Sequence, residues 1–235
     1  VFFDLYGTLL VFDNFDKSDD NWVQTFYELG GKPNNISYED VKIICKDILE
    51  RDIEKDLSTG LTTYETKIKC GFAQKNIFPS DEEIKNIANA TLEVWQKDIR
   101  PAEDTIFVLS ELKKSKKIVL ITNFDHSPHV KKLIVKTGLS KYFDEVIISD
   151  ETECKKPSPD IFNVALEKTG LKKDDVVYIG DNIIDDIGGA TSAGIKPILI
   201  SRNSKSNFVN ELHDINKTNS FQTINSLSDL LVLLK

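Results

Sequence analysis

The chain has 235 residues, a net charge of −8 and a pI near 5.0, with 40% hydrophobic and 29% charged residues. That length holds one large domain or two small ones with a sizeable core. The acidic balance suggests no basic face for nucleic acid, and an anionic ligand would have to be drawn in by a local positive site. No apolar run approaches bilayer length and no signal peptide opens the chain, so a cytoplasmic location without a membrane partner is expected. Three cysteines, Cys45, Cys70 and Cys154, stand far apart without C-x-x-C spacing, which points to reduced thiols rather than zinc or redox work.

In chain order, Val1 to Leu9 reads as a short buried strand that ends in Asp4, with a turn at Gly7 and Thr8. Residues 11–15 lose the pattern at Asp13 and Asn14 and read as a hinge. From there to Lys97 every segment reads helical. Ser18, Asp19 and Asp20 form a cap-like start before Trp22, Val23, Phe26 and Leu29, and Gly30 and Gly31 close that helix. Ser37 opens a helix with Val41, Ile44, Cys45 and Ile48 on one face. Tyr64, Ile68 and Phe72 mark a weaker third, and Ser80 with Glu83 forms a capping box ahead of Ile84 to Trp95. Four amphipathic helices without a strand predict a small bundle with its own core.

Beyond Pro101, a helix through Val108 and Leu112 leads to a buried strand over residues 117–123. Strands over 143–149, 176–180 and 197–201 then alternate with helices over 130–137, 160–169 and 185–193; 201–219 reads as loop and 226–234 as a closing helix. The alternation predicts an α/β fold, a Rossmann-like doubly wound parallel sheet. Residues 1–15 and 98–235 form this core, and the all-helical cap, 16–97, is an insertion in it. Ligands of open α/β sheets bind at the C-terminal strand edge. Asp4, Thr122 with Asn123, Lys156 before Pro157, and Asp181 with Asp185 and Asp186 all fall at that edge.

Taken singly these strings are ordinary turns and caps. Together and in this order, Asp-x-Tyr-Gly-Thr, Thr-Asn, Lys-Pro and Gly-Asp with the following acids resemble the four motifs of the haloacid dehalogenase-like superfamily, and the helical insertion resembles its helical-cap members. The resemblance implies a hydrolase with Asp4 as covalent nucleophile and Mg²⁺ as cofactor. It also implies metal ligands from Asp4, Asp181, the Tyr6 backbone carbonyl and one of Asp185 or Asp186, of which Asp186 fits the spacing better. Lys156 would neutralise charge beside Asp4, and Thr8, Thr122 and Asn123 would hold phosphate oxygens. The implied partner is a small phosphorylated metabolite, acting on a monomer or homodimer.

Tyr6 departs from the pattern, because phosphatases of the superfamily place a second Asp there as general acid and base. Tyr at that position is what the metal-free haloacid dehalogenases show. Those enzymes, however, lack a carboxylate at the Asp181 position, carry a halide-binding arginine where this chain offers only Lys32, and have Tyr where this chain has Phe162. A phosphatase is therefore the favoured reading, with a dehalogenase or a weakly active binding relative as alternatives. A phenol with a pKa of about 10 is a poor proton donor near neutrality, which leaves Asp13 and His126 as other proton sources to consider; His126 reads more simply as a helix-entry residue.

Overall fold

The computed structural model describes residues 1–53, 60–202 and 221–234. Among these, the strands are β1 (Phe2–Phe3), β2 (Leu10–Phe12), β3 (Ile99–Pro101), β4 (Val119–Thr122), β5 (Glu145–Ile148), β6 (Val177–Gly180), β7 (Lys196–Ile200) and β8 (Gln222–Ile224). The helices are α1 (Phe15–Phe26), α2 (Tyr38–Glu50), α3 (Thr63–Ala73), α4 (Asp81–Trp95), α5 (Thr105–Leu112), α6 (Ser127–Lys136), α7 (Pro159–Thr169), α8 (Gly189–Ser192) and α9 (Leu230–Leu233). Packing divides them into two compact units. One comprises Val1–Val11, Arg100–Asn123 and Ile134–Lys235, and the other Phe12–Ile99 and Phe124–Leu133.

The first unit is built on a six-stranded sheet ordered β5-β4-β1-β6-β7-β8, all of whose pairings are parallel. It is the α/β fold that the alternating pattern predicts. Phe2 lies beside Val119 and Tyr178, and Phe3 beside Leu120 and Ile179. That register carries the chain past β1, β4 and β6 to Asp4, Thr122 and Asp181 at one edge, and the Asp4 N–H donates to the Ile179 carbonyl at 2.9 Å. Because side chains alternate along a strand, Phe2, Val119, Ile121, Ile147 and Tyr178 line one face. Ile161, Phe162 and Ala165 of α7 cover that face.

β8 falls between the loop and the closing helix read from the sequence, where no element is predicted. Three residues with one buried position, Ile224, carry too little periodicity to announce an edge strand. The expected loop over 201–219 lies almost wholly outside the described residues.

In the second unit, Trp22, Phe26, Ile44, Ile68, Phe72 and Leu92 share one core. The Trp22 Nε1–H donates to the Tyr64 hydroxyl at 2.7 Å, which lies 2.9 Å from Thr91 Oγ1, so the polar atoms inside that core are paired. α1 begins three residues before the Ser18 start read from the sequence, because Asn14 Oδ1 accepts the Lys17 N–H and outcompetes the later cap, while Ser18 is buried. Gly30 and Gly31 do not close the helix either. The turn runs on to a left-handed Asn35, and the two glycines admit Phe72 and Val41, which a Cβ would strike.

The divisions between units also fall differently from the sequence reading, which placed them at 15/16 and 97/98 and kept 124–133 with the sheet. Phe124 packs on the helical core, the Asp125 carboxylate takes the Lys67 ammonium at 2.6 Å, and the Asp125 carbonyl accepts the Tyr64 N–H at 2.7 Å. The stretch that leads into the helix read over 130–137 thus belongs by its contacts to the bundle. Among the described residues no helix is long and apolar enough to cross a membrane.

Phe162 is fully buried and meets Tyr178 edge-to-face with ring centroids 4.9 Å apart. Phe162→Ala should therefore cost about 3–5 kcal/mol in equilibrium denaturation. A loss under about 1 kcal/mol would mean that α7 does not seal this face of the sheet.

Candidate active site

The chain places its chemistry where β1, β4 and β6 end. The Lys156 Nζ donates to Asp4 Oδ1 at 2.6 Å, to Asp186 Oδ1 at 2.7 Å and to the Tyr178 hydroxyl at 3.1 Å. Tyr178 in turn donates to Asp186 Oδ1 at 2.8 Å. Asp186 Oδ2 accepts the Asn182 N–H at 3.0 Å. Asp4, Lys156 and Asp186 are 6%, 4% and 1% exposed, so these ionic contacts act in a medium where charge is poorly screened.

Asp181 completes the group on the open side. One carboxylate oxygen from each of Asp4, Asp181 and Asp186 lies within 4.8 Å of the others. Two glycines make that crowding possible. Gly7 sits at φ +85°, a left-handed conformation, and a Cβ there would overlap the Asp181 carboxylate. A Cβ on Gly180 would likewise overlap Asp186.

Asp186, not Asp185, is drawn in because the segment after β6 opens as a wide π-type turn. Asn182 Oδ1 accepts the Ile184 and Asp185 N–H groups, and the Asn182 carbonyl accepts from both Asp186 and Ile187. Asp186 then turns inward to full burial while Asp185 stays partly exposed.

Three carboxylates face one ammonium, and the acidities follow. Burial raises the Asp4 carboxyl to about 7; Lys156 opposes the rise, and Asp186 and Asp181 add to it. Asp181, which is more open to water, is raised to about 6 by burial and then by Asp186. Burial alone would lower the Lys156 ammonium, but Asp4 and Asp186 outweigh it and hold it above the usual lysine range. Such a group lacks positive charge. Its donors are all oxygen, the set that hard divalent cations such as Mg²⁺ prefer, and the Asp181 side is solvent-accessible. These residues fit a cation of that kind.

The other residues singled out in the sequence are placed as follows. The Thr8 hydroxyl donates to Asp181 Oδ1 at 3.4 Å. Thr122 Oγ1 is buried without a hydrogen-bond partner, an unusual state for a hydroxyl and one that an incoming oxygen could relieve. Asn123 clamps the backbone of Lys156: its Nδ2 donates to the Lys156 carbonyl and its Oδ1 accepts the Lys156 N–H, both at 2.9 Å. The Tyr6 hydroxyl is buried, and burial followed by the Asp4 charge raises the phenol above its ordinary range.

His126 belongs to the helical unit. Its Nδ1 accepts the His129 N–H at 3.1 Å and its Nε2 lies 3.5 Å from Glu65 Oε1, a helix-entry role. Asp13 is also in that unit, exposed at its start. Lys32 is exposed and pairs with Glu28 at 3.2 Å. Tyr178 was not foreseen; a tyrosine inside an otherwise apolar strand, two residues before Gly180, was the available signal, because a buried phenol needs a partner.

Residues 1–194 match the sequence model of a family described as haloacid dehalogenase-like hydrolase. The rhythmically expressed gene 2 protein of Drosophila melanogaster is 30% identical over 164 residues, 65% of this chain, and the match spans 62% of that protein's length. The human N-acylneuraminate-9-phosphatase is 28% identical over 202 residues, 83% of this chain and 79% of that one. Among solved structures, a 2-haloacid dehalogenase from Pseudomonas syringae superposes with a TM-score of 0.69 at 22% identity, over 99% of this chain and 96% of that one. At that identity the likeness concerns the fold.

A raised Asp4 has a consequence for stability. Unfolding releases a carboxyl with an ordinary pKa of about 3.9, so the unfolded chain ionises first and stability falls as pH rises from about 4 to about 7. In metal-free protein, Asp4→Asn should therefore unfold at a higher temperature than the parent at about pH 8, by roughly 2–4 °C per kcal/mol relieved, and the gain should vanish near pH 4. Thermal melts across pH check this, and no gain at the alkaline end contradicts it.

Proposed function

Since the chain belongs to the haloacid dehalogenase-like hydrolase family, we propose that it is a magnesium-dependent phosphatase of small phosphorylated metabolites, working through an aspartyl-phosphate on Asp4. The observation that carries the reading is the three-acid group around Lys156, with Asp181 retained on its open side. The sequence likeness to N-acylneuraminate-9-phosphatase, a protein named for a phosphate ester, supports it.

Asp4 and Asp181, with the Tyr6 backbone carbonyl, would hold the cation, and Asp186 would support them from behind. When bound, Mg²⁺ supplies the positive charge that lets an anionic ester approach a carboxylate. Lys156 fixes the direction of Asp4 and offsets part of its charge through the 2.6 Å contact. The Asp4 oxygen attacks phosphorus; the bond from phosphorus to the leaving oxygen breaks, and an acyl phosphate forms. Water then attacks phosphorus and releases inorganic phosphate with Asp4 restored. Thr122, whose hydroxyl lacks a protein partner, donates to a non-bridging oxygen of the phosphoryl group. Asn123 acts through Lys156, whose backbone it holds.

Proton supply is the weak point of this site. A buried phenol raised above its ordinary range neither protonates a leaving alkoxide nor activates water near neutrality. Acyl and aryl phosphates, whose leaving groups hardly need a proton, should therefore be turned over faster than alkyl phosphates. The Tyr6 substitution is also the observation that favours a metal-free dehalogenase. Against that reading stand Asp181 itself, Lys32 engaged by Glu28, and Phe162, fully buried against the Tyr178 ring.

Hydrolysis of p-nitrophenyl phosphate should be stimulated by Mg²⁺, abolished by chelation and lowered by roughly a thousandfold or more in Asp4→Asn. Metal-independent halide release from a 2-haloacid would instead select the dehalogenase, and neither activity would leave a binding protein. Tyr6→Asp should raise turnover of a simple alkyl phosphate by about a hundredfold. Equal parent rates on alkyl and aryl esters would overturn the assignment of Tyr6 as an ineffective proton carrier.

A further inference from the structure

The turn that carries the nucleophile is held from behind by a residue far along the chain. Arg202 donates to the Thr8 carbonyl from Nε at 3.2 Å and from an Nη at 2.8 Å. The same Nη lies 3.1 Å from Asp104 Oδ1. Asp104 Oδ2 accepts the Ser226 hydroxyl at 2.7 Å and the Leu227 N–H at 2.6 Å. Arg202, just beyond β7, is thus aimed by an acid that is itself fixed by the start of the last helical turn.

The peptide that Arg202 grips is constrained on its other side as well. The Leu9 N–H of that peptide donates to the Leu5 carbonyl at 2.9 Å. The next carbonyl, that of Leu9, accepts the Ala102 N–H at 3.1 Å and the Thr105 hydroxyl at 2.8 Å. Rotation of the 8–9 peptide would swing the Thr8 side chain away from Asp181 and move Gly7, which has no clearance from that carboxylate. Thr8 and Gly7 follow Asp4 within four positions, so the attacking oxygen and the acid opposite it are set relative to each other through this turn. A guanidinium suits the task because two of its N–H groups converge on one oxygen in a fixed plane.

We propose that Arg202 is a positioning residue for the hydrolysis, holding the turn over residues 7–9 so that Asp4 and Asp181 keep their mutual geometry, with Asp104 setting the place of Arg202. The proposal rests on the reading of Asp4 as the attacking group. Arg202 itself touches neither acid; it acts through the Thr8 carbonyl.

The test uses the full chain with Arg202→Met, Arg202→Lys and Asp104→Asn. Arg202→Met should lower kcat on p-nitrophenyl phosphate by about tenfold to a hundredfold while KM stays within about twofold, the pattern of a misplaced reacting group. Arg202→Lys, which keeps the charge but on a single nitrogen without the planar fork, and Asp104→Asn, which keeps the guanidinium but loosens its aim, should fall between. Hydrogen exchange read by mass spectrometry should accelerate in the peptide covering residues 5–10 and stay at parent level over β4. A kcat within about twofold of the parent overturns the proposal, as does unchanged exchange over 5–10, or acceleration spread equally to β4, which would mark a general loss of stability. If the parent hydrolyses no phosphate ester, the functional reading fails on its own, and the exchange measurement still decides whether Arg202 holds the turn.

Discussion

A single buried ammonium organises this site. Lys156 bridges Asp4 and Asp186 at 2.6 and 2.7 Å, and without it two desolvated carboxylates would face each other and a third at Asp181. Removing Lys156 would leave Asp4 and Asp186 uncompensated, a cost of about 3–5 kcal/mol, whereas loss of Asp4 leaves the ammonium still held by Asp186. The site is therefore better understood as an arrangement kept for chemistry than as a stabilising device. One lysine does not balance three acids, and that shortfall adds to burial, the larger cause, in raising Asp4 and Asp181. It is also what makes the group receptive to a cation.

The rest of the catalytic unit serves to hold that arrangement. The parallel register delivers Asp4, Thr122 and Asp181 to one edge. Asn123 fixes the backbone of Lys156, Tyr178 links the ammonium to Asp186, and Phe162 packs against the ring of Tyr178. Gly7 and Gly180 permit approaches that any side chain would block. Each is a packing or hydrogen-bonding requirement, and each acts at a strand end, where short loops on a rigid sheet combine reach with precision.

Much of this was legible in the sequence. Contiguous strings such as Val-Val-Tyr-Ile-Gly-Asp carry strand period, turn and acid together, so the strand ends and their chemistry could be read. The helical insertion was legible from 3.6-residue periodicity. The features that escaped are those that depend on distant parts of the chain. The choice of Asp186 over Asp185 is not among them: spacing favours Asp186, and the wide turn capped by Asn182 is what carries it inward. The allegiance of Phe124–Leu133 to the bundle rests on Lys67 and Tyr64, some sixty residues earlier. Arg202 falls in the stretch that reads as loop, and nothing local announces that its guanidinium is turned to Thr8. His126, conversely, drew notice for its intrinsic pKa, although its contacts are those of a helix entry.

The proposed mechanism is covalent: Asp4 would take the phosphoryl group, and the buried Tyr6 phenol would not speed its release to water. The most direct measurement is an acid quench of enzyme mixed with excess phosphoryl donor and Mg²⁺, followed by mass spectrometry of the N-terminal peptide. The account predicts an alkali-labile phosphoryl group on Asp4 at a substantial steady-state fraction, absent in Asp4→Asn. Sustained turnover with Asp4 unmodified at every time point would contradict it.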